Sequence, residues 1–219
     1  NQKNKKNRFS NPKGSQMVPG VEFKKTLEMT IKDLTYHANV LDMLETDKNS
    51  VMVIHGGGVY GDKDKTIERW CENYHNLSEQ IKKRLVLENC EKCYSIKDCL
   101  IIHEKCGVPL VFDTHHFECY KLLHLDEEFE GGDYYIPLIL ETWKKKGIKP
   151  KFHCSEQGVG RIGKHSDFIE IIPDYLLEIP DKYGIKIDIM IEAKMKEQAI
   201  FRLYLKYTEL CCKKPKKTT

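Results

Sequence analysis

Residues 84–88 read Arg-Leu-Val-Leu-Glu, an apolar run that closes on a single carboxylate. The same plan occurs in VMVIH (51–55), PLVFD (109–113), PKFH (150–153) and IDIMIE (187–192), which end on His55, Asp113, His153 and Glu192. Short apolar runs of this length are strands with a buried body. Side chains alternate faces along a strand, so a polar residue that closes a buried run stands at its carboxyl end. There the strands of α/β folds leave the core and meet ligand. A lone terminal Asp or His is ordinarily a helix cap or loop anchor. Five in succession, none replaced by Lys or Arg, indicate imidazoles and carboxylates converging on one face, the ligand set of Zn or Mn.

Between these strands the spacing becomes helical. Leu27, Ile31, Leu34, Ala38 and Leu41 recur every three or four residues and give the segment before the first strand one apolar face. Helical segments also cover DKTIERWCENYHNL, SIKDCLIIHEKCG, DYYIPLILETWKKKG, DYLLEIPDKYG and MKEQAIFRLYLKYTEL, two of them closing on a glycine stop, Gly107 and Gly147. Repeated strand-helix-strand units imply parallel strands with right-handed crossovers. An open doubly wound sheet collects ligand at one switch point, whereas a TIM-type (β/α)8 barrel gathers residues from many strand ends around one mouth. Ligand-type residues on five strands favour the barrel. A complete barrel takes about 250 residues, so the expectation is a partial barrel with about five readable β/α units. It spans 27–208, between a diverged or flexible segment at 1–26 and a basic tail at 209–219.

Composition is that of a globular protein, with 40% hydrophobic and 32% charged residues among 219 and a formal charge of +3. That charge is too small to argue nucleic-acid binding by itself, and the lysine-rich ends read as solvated tails. No apolar run reaches the roughly 20 residues of a membrane helix, and the first residues lack the apolar core of a signal peptide. Nine cysteines scattered through the elements read as reduced thiols of an intracellular rather than secreted protein. The single CxxC, Cys90 and Cys93, has no second pair to complete a zinc ribbon and reads as incidental.

In HGGGVYGDKDK (55–65) the spacing of a phosphate-binding loop is absent, so its glycines read as turn formers around a strand end. HGGG also occurs in serine hydrolases, but no GxSxG elbow exists here. His116, three residues after Asp113, and His165, in the loop after His153, join the five strand-end residues as candidate ligands. His37, His75 and His103 fall within helices, and His124 lies in a loop. Seven ligands exceed one tetrahedral ion, so roughly two or three divalent ions sharing a carboxylate, with Glu88 as the bridge, are expected, a constellation suited to phosphodiester hydrolysis.

The motifs HGGGVYGDK, RLVLEN, GVPLVFDTHH, TW followed by PKFHCS, KHSDFI and DIMIEAKMKEQA, in that order, resemble those of the UV damage endonucleases, relatives of endonuclease IV. The resemblance covers about 27–203. It implies a metal-dependent TIM barrel that nicks damaged double-stranded DNA on the 5′ side of ultraviolet photoproducts, with Mn as the first choice of metal and Zn or Mg as alternatives. The implied metal ligands are His55, Glu88, Asp113, His116, His153, His165 and Glu192. Glu88, Glu192 and Lys151 carry catalysis, and Lys194 and Lys196 contact DNA.

The chain departs from the family pattern in two places. Asn89 is followed by Cys90 and Glu91 where the family carries acidic residues. Family members also have three further strands before the helix at Leu27, the third ending in a His-Pro-Gly-Gln-aromatic motif. In this chain KKNRFSNPKG stands there, with Lys5 near the histidine position and Phe9 near the aromatic. A missing N-terminal half of the barrel is therefore an expected partner. Two alternatives remain: a metal-dependent sugar isomerase or epimerase, and an inactive DNA-binding remnant of the endonuclease.

Overall fold

The computed structural model describes residues 19–59 and 61–210. Lys5, Phe9 and the lysine-rich stretch at 211–219 lie outside them. The chain opens with helix α1 (Pro19–Met43) and strand β1 (Met52–His55), then runs through α2 (Lys63–His75), α3 (Glu79–Lys82), β2 (Leu85–Glu88), α4 (Ile96–Cys106) and β3 (Leu110–Asp113). It continues through α5 (Thr114–Leu123), α6 (Gly132–Trp143), β4 (Lys151–Cys154), α7 (Asp174–Leu177), α8 (Ile179–Tyr183), β5 (Asp188–Ile191) and α9 (Glu197–Lys206).

All five strands are parallel and pair in chain order, β1-β2-β3-β4-β5. Sequential order with helical crossovers is the wall of a TIM-type barrel, whereas a doubly wound sheet reverses its order at a switch point. The fold is a partial α/β barrel with β1 and β5 as its two open edges. Burial follows from that topology. Strands β2, β3 and β4 are buried at every position, while β1 alternates and β5 is only half-buried, because among the described residues each outer strand is paired on one side only. Val51, Val53, Ile187, Ile189 and Ile191 line an open cavity of about 810 Å³ on the inner face of the curved sheet.

The core lies between strands and helices. Trp70 stacks on Tyr74, and Phe112 packs against Phe117 and Tyr135. Trp143 is anchored by donating its indole N–H to the Leu110 carbonyl at 2.8 Å. Each such fully buried side chain stabilises the fold by roughly 1.5–3 kcal/mol relative to exposure. Below the strands, the buried Arg84 guanidinium donates to Asp42 and to the carbonyls of Thr46, Asp47 and Ser50, fastening the end of α1 to the foot of β2.

Several boundaries differ from the sequence reading. Helix α1 starts at Pro19, so a domain limit at residue 27 cuts through a continuous helix. Strand β4 runs one residue past His153, because Cys154 continues the pairing with Ile191. Strand β5 stops one residue before Glu192, whose N–H still donates to the Cys154 carbonyl at 3.0 Å. Gly107 caps α4 at φ 77° as expected. Helix α6 ends at Trp143 instead, and Gly147, at φ 62°, closes the turn beyond it.

Candidate metal centre

The parallel sheet brings every strand's carboxyl end to one rim. His55, Glu88 and Asp113 close β1, β2 and β3, His153 sits one residue inside the end of β4, and Glu192 directly follows β5. His116 lies in the first turn of α5. His165 arrives on the loop after β4, pinned by a bridge to Gln157.

These seven side chains form one connected group. The buried Glu88 carboxylate faces His153 Nδ1 at 2.8 Å, His55 Nε2 at 3.4 Å and His116 Nδ1 at 3.5 Å. Glu192 lies 3.2 Å from His153 Nδ1 and 3.6 Å from His165 Nδ1. Asp113 Oδ2 lies 3.6 Å from His116 Nδ1. Two triads offer ligand atoms within 4.8 Å of one another, His55-Glu88-His116 and Glu88-His153-Glu192, and Glu88 belongs to both.

The electrostatics are those of a site built around positive charge. Burial disfavours a charged His153 imidazole, yet hydrogen bonds with Glu192 and Glu88 overcome it and push the imidazole up to about 10. Burial likewise opposes ionisation of Glu192, but the His153 hydrogen bond wins and holds the carboxyl down at about 2. Glu88 is lowered for the same reason, burial being outweighed by His153, His55 and His116.

The residues fit a metal. Ligand atoms about 2.1 Å from an ion and tetrahedrally arranged lie roughly 3.4 Å from each other, which is the range of the contacts above. Three buried atoms of the group, His55 Nδ1, Asp113 Oδ2 and His153 Nε2, make no hydrogen bond. Buried polar atoms are ordinarily paired; Asp113 Oδ2 is the one of these three that faces the group, because His55 and His153 turn their other ring nitrogens, Nε2 and Nδ1, to Glu88. Asp113 divides its carboxylate: Oδ1 accepts the N–H groups of His115 and His116 at 2.7 and 2.8 Å, capping α5, and Oδ2 faces the centre.

The remaining sequence-selected residues stand apart. The Lys151 ammonium is buried against Asp188, which pairs with it across β4 and β5 two residues below His153. Lys194 and Lys196 are exposed on the loop after Glu192, Lys194 facing Asp167 at 3.4 Å. His124 stacks on Tyr120 with ring centroids 3.8 Å apart. Three neighbours of the site were not selected by sequence spacing. Asn89 bonds the Asp113 backbone. The His115 ring lies 6.0 Å from that of His165. Glu91 is a half-buried carboxylate which burial would raise but which its own backbone, His116 and His55 lower. The only signal for Asn89 was its place directly after the candidate ligand Glu88, and for His115 its adjacency to His116.

A parallel partial barrel with a shared-carboxylate, histidine-rich centre at its C-terminal mouth places the chain among the TIM-type barrel proteins with a metal-type site. The family model described as "UV-endonuclease UvdE" matches residues 8–215, and the chain belongs to that family. It is 38% identical over 180 residues to the UV DNA damage endonuclease of Bacillus pumilus, covering 80% of this chain and 54% of that protein. It is 39% identical over 192 residues to the UV-damage endonuclease of Neurospora crassa, covering 82% of this chain and 28% of that one. The crystal structure of SacUVDE superposes with a TM-score of 0.70 at 30% identity, covering 85% of this chain and 60% of that one. The chain thus spans about half the length of the bacterial relatives it matches.

Proposed function

We propose that this chain supplies the metal-centre half of an endonuclease that hydrolyses the DNA phosphodiester 5′ to ultraviolet photoproducts, leaving a 3′-hydroxyl and a 5′-phosphate. The observation that carries the reading is the Glu88 carboxylate shared between two ligand triads, in a chain of the UV-endonuclease family. His55, Glu88 and His116 would hold one divalent ion, Glu88, His153 and Glu192 a second, with Asp113 and His165 completing the set. Mn is the first candidate, with Zn and Mg as alternatives. Divalent ions, when bound, supply the charge that neutralises a phosphodiester and its leaving oxygen and make water nucleophilic at neutral pH.

The chain's own residues do the rest. Glu88 and Glu192 stay ionised and concentrate negative charge where cations collect. His153 carries a proton between them in the metal-free protein and yields it when cations enter. Lys194 and Lys196, exposed beside Glu192, are placed to meet backbone phosphates, and Lys151 supplies a buried positive charge below His153. Damaged double-stranded DNA is the substrate in this reading. The seven free cysteines among the described residues accord with an intracellular setting, and no described helix is long and apolar enough to cross a membrane. In this reading the edges of β1 and β5, unpaired among the described residues, and the cavity between them would seat an N-terminal barrel half.

The test is nicking of ultraviolet-irradiated supercoiled plasmid with Mn²⁺, by the chain alone and by the chain joined to a family N-terminal half. Lesion-dependent nicking that disappears with chelator and in Glu88→Gln and Glu192→Gln supports the reading. Nicking that survives either substitution removes the metal-hydrolysis mechanism, and its absence in the completed barrel favours a DNA-binding remnant.

A further inference from the structure

We propose that Asn89 is a positioning residue that holds Asp113 and His116 in ligand geometry against Glu88; the inference rests on the metal-centre reading above. Asn89 is only 1% exposed, although no charge partner draws it inward. Its side-chain amide makes a reciprocal pair of hydrogen bonds with the Asp113 backbone. The Asp113 N–H donates to Asn89 Oδ1 at 2.9 Å, and Asn89 Nδ2 donates to the Asp113 carbonyl at 3.0 Å.

In a strand ladder the N–H and C=O of a residue are taken up by backbone groups of the neighbouring strand; here both groups of Asp113 are taken up by one side-chain amide. The register of β2 with β3 ends at Glu88 opposite Val111, so the amide continues the ladder with a side chain just where β2 turns away. The Asn89 carbonyl lies 3.2 Å from His116 Nδ1. One residue therefore follows one ligand in the chain, clamps the backbone of a second and faces the ring of a third. Asp113 Oδ1 is already occupied by the α5 cap, so the aim of Oδ2 is set by the backbone that Asn89 grips. Supports of this kind, which orient ligands without touching the ion, typically change metal affinity by about 10- to 100-fold when removed.

The experiment measures Mn²⁺ affinity of the 219-residue chain by titration calorimetry, beside its metal-free melting temperature. Asn89→Leu keeps the approximate volume and removes both hydrogen-bonding groups, and Asn89→Ala removes the side chain. Thr142→Val is the stability control. Thr142 Oγ1 accepts the Leu110 N–H at 3.2 Å at the opposite end of β3, so its loss weakens the same strand away from the centre. The expected result is affinity lowered by about tenfold or more in both Asn89 variants and unchanged in Thr142→Val despite a lower melting temperature. Wild-type affinity in Asn89→Leu, or an equal loss in Thr142→Val, overturns the proposal. If Asn89→Ala fails to fold, Asn89→Leu decides. A wild-type chain that binds neither Mn²⁺ nor Zn²⁺ overturns the metal reading and this inference together, whereas a wild type that binds while Asn89→Leu binds equally overturns this inference alone.

Discussion

Asp113 divides its two oxygens between a helix cap and the candidate centre, which makes the proposed ligand role separable from the cap. Oδ1 caps α5 and Oδ2 faces the imidazoles. Asn caps a helix about as well as Asp. Asp113→Asn should therefore leave the metal-free melting temperature nearly unchanged while lowering Mn²⁺ affinity by about tenfold or more; thermal denaturation and calorimetry check the two halves. His153 and Glu192 supply a pH dependence. The imidazole, raised to about 10 from 6.5, adds stability fully present below pH 6.5 and lost as pH rises through 10. The carboxyl, lowered to about 2 from 4.5, adds stability present above pH 4.5 and lost as pH falls through 2. The metal-free chain should keep both contributions between those inner limits, and melts across pH should show a loss on either side. If the proposed centre takes up Mn²⁺ it would displace the His153 proton, so affinity should rise with pH and the heat should vary with the ionisation enthalpy of the buffer.

At the scale of elements, local sequence decides how each strand end is presented. Ser95 and Asp98 form a capping box at the start of α4, with Ser95 Oγ accepting the Asp98 N–H at 3.1 Å and Asp98 accepting the Ser95 N–H at 2.8 Å. Asp98 also holds Lys63 at 2.9 Å, linking α4 to the start of α2. Ser95→Ala should cost about 1 kcal/mol of stability in urea denaturation. Gly56 follows His55 so closely against Tyr94 that a Cβ would lie 2.7 Å from the ring. Gly56→Ala should therefore cost about 1–3 kcal/mol and, by moving the end of β1, weaken Mn²⁺ binding as well. The strands and most helices were legible because buried runs and three-to-four spacing report directly on burial. Strand limits were less so, since Cys154 pairs as well as any apolar residue and Glu192 lies just past the end of β5 although its N–H still bonds to β4. All seven ligand candidates were legible from their places at strand ends and corners. The Asn89 contact was not, because its bonds reach the backbone of another strand, which no local pattern encodes.

For the whole molecule, the five strands of the described residues have the order of a barrel and do not close it. Parallel edges that expose N–H and C=O groups beside apolar side chains invite another strand. The half-exposed inner residues of β1 and β5 border a cavity that a closed barrel would fill with side chains. A family N-terminal half, added as a separate polypeptide, should raise the chain's melting temperature and protect the amides of Val51 and Val53 from hydrogen exchange; unchanged exchange would mean that these edges do not receive it. The same closure would complete the mouth around Glu88. Everything then depends on whether the seven-residue rim binds ions through the carboxylate at its centre. The most direct measurement is the Mn²⁺ content of the purified chain after equilibration with excess Mn²⁺ and removal of free ion, in wild type and in Glu88→Gln. The expected result is about two ions per wild-type chain and loss of both in the variant, because Glu88 serves both triads. A wild-type chain that retains none, or a Glu88→Gln chain that retains the full complement, would contradict it.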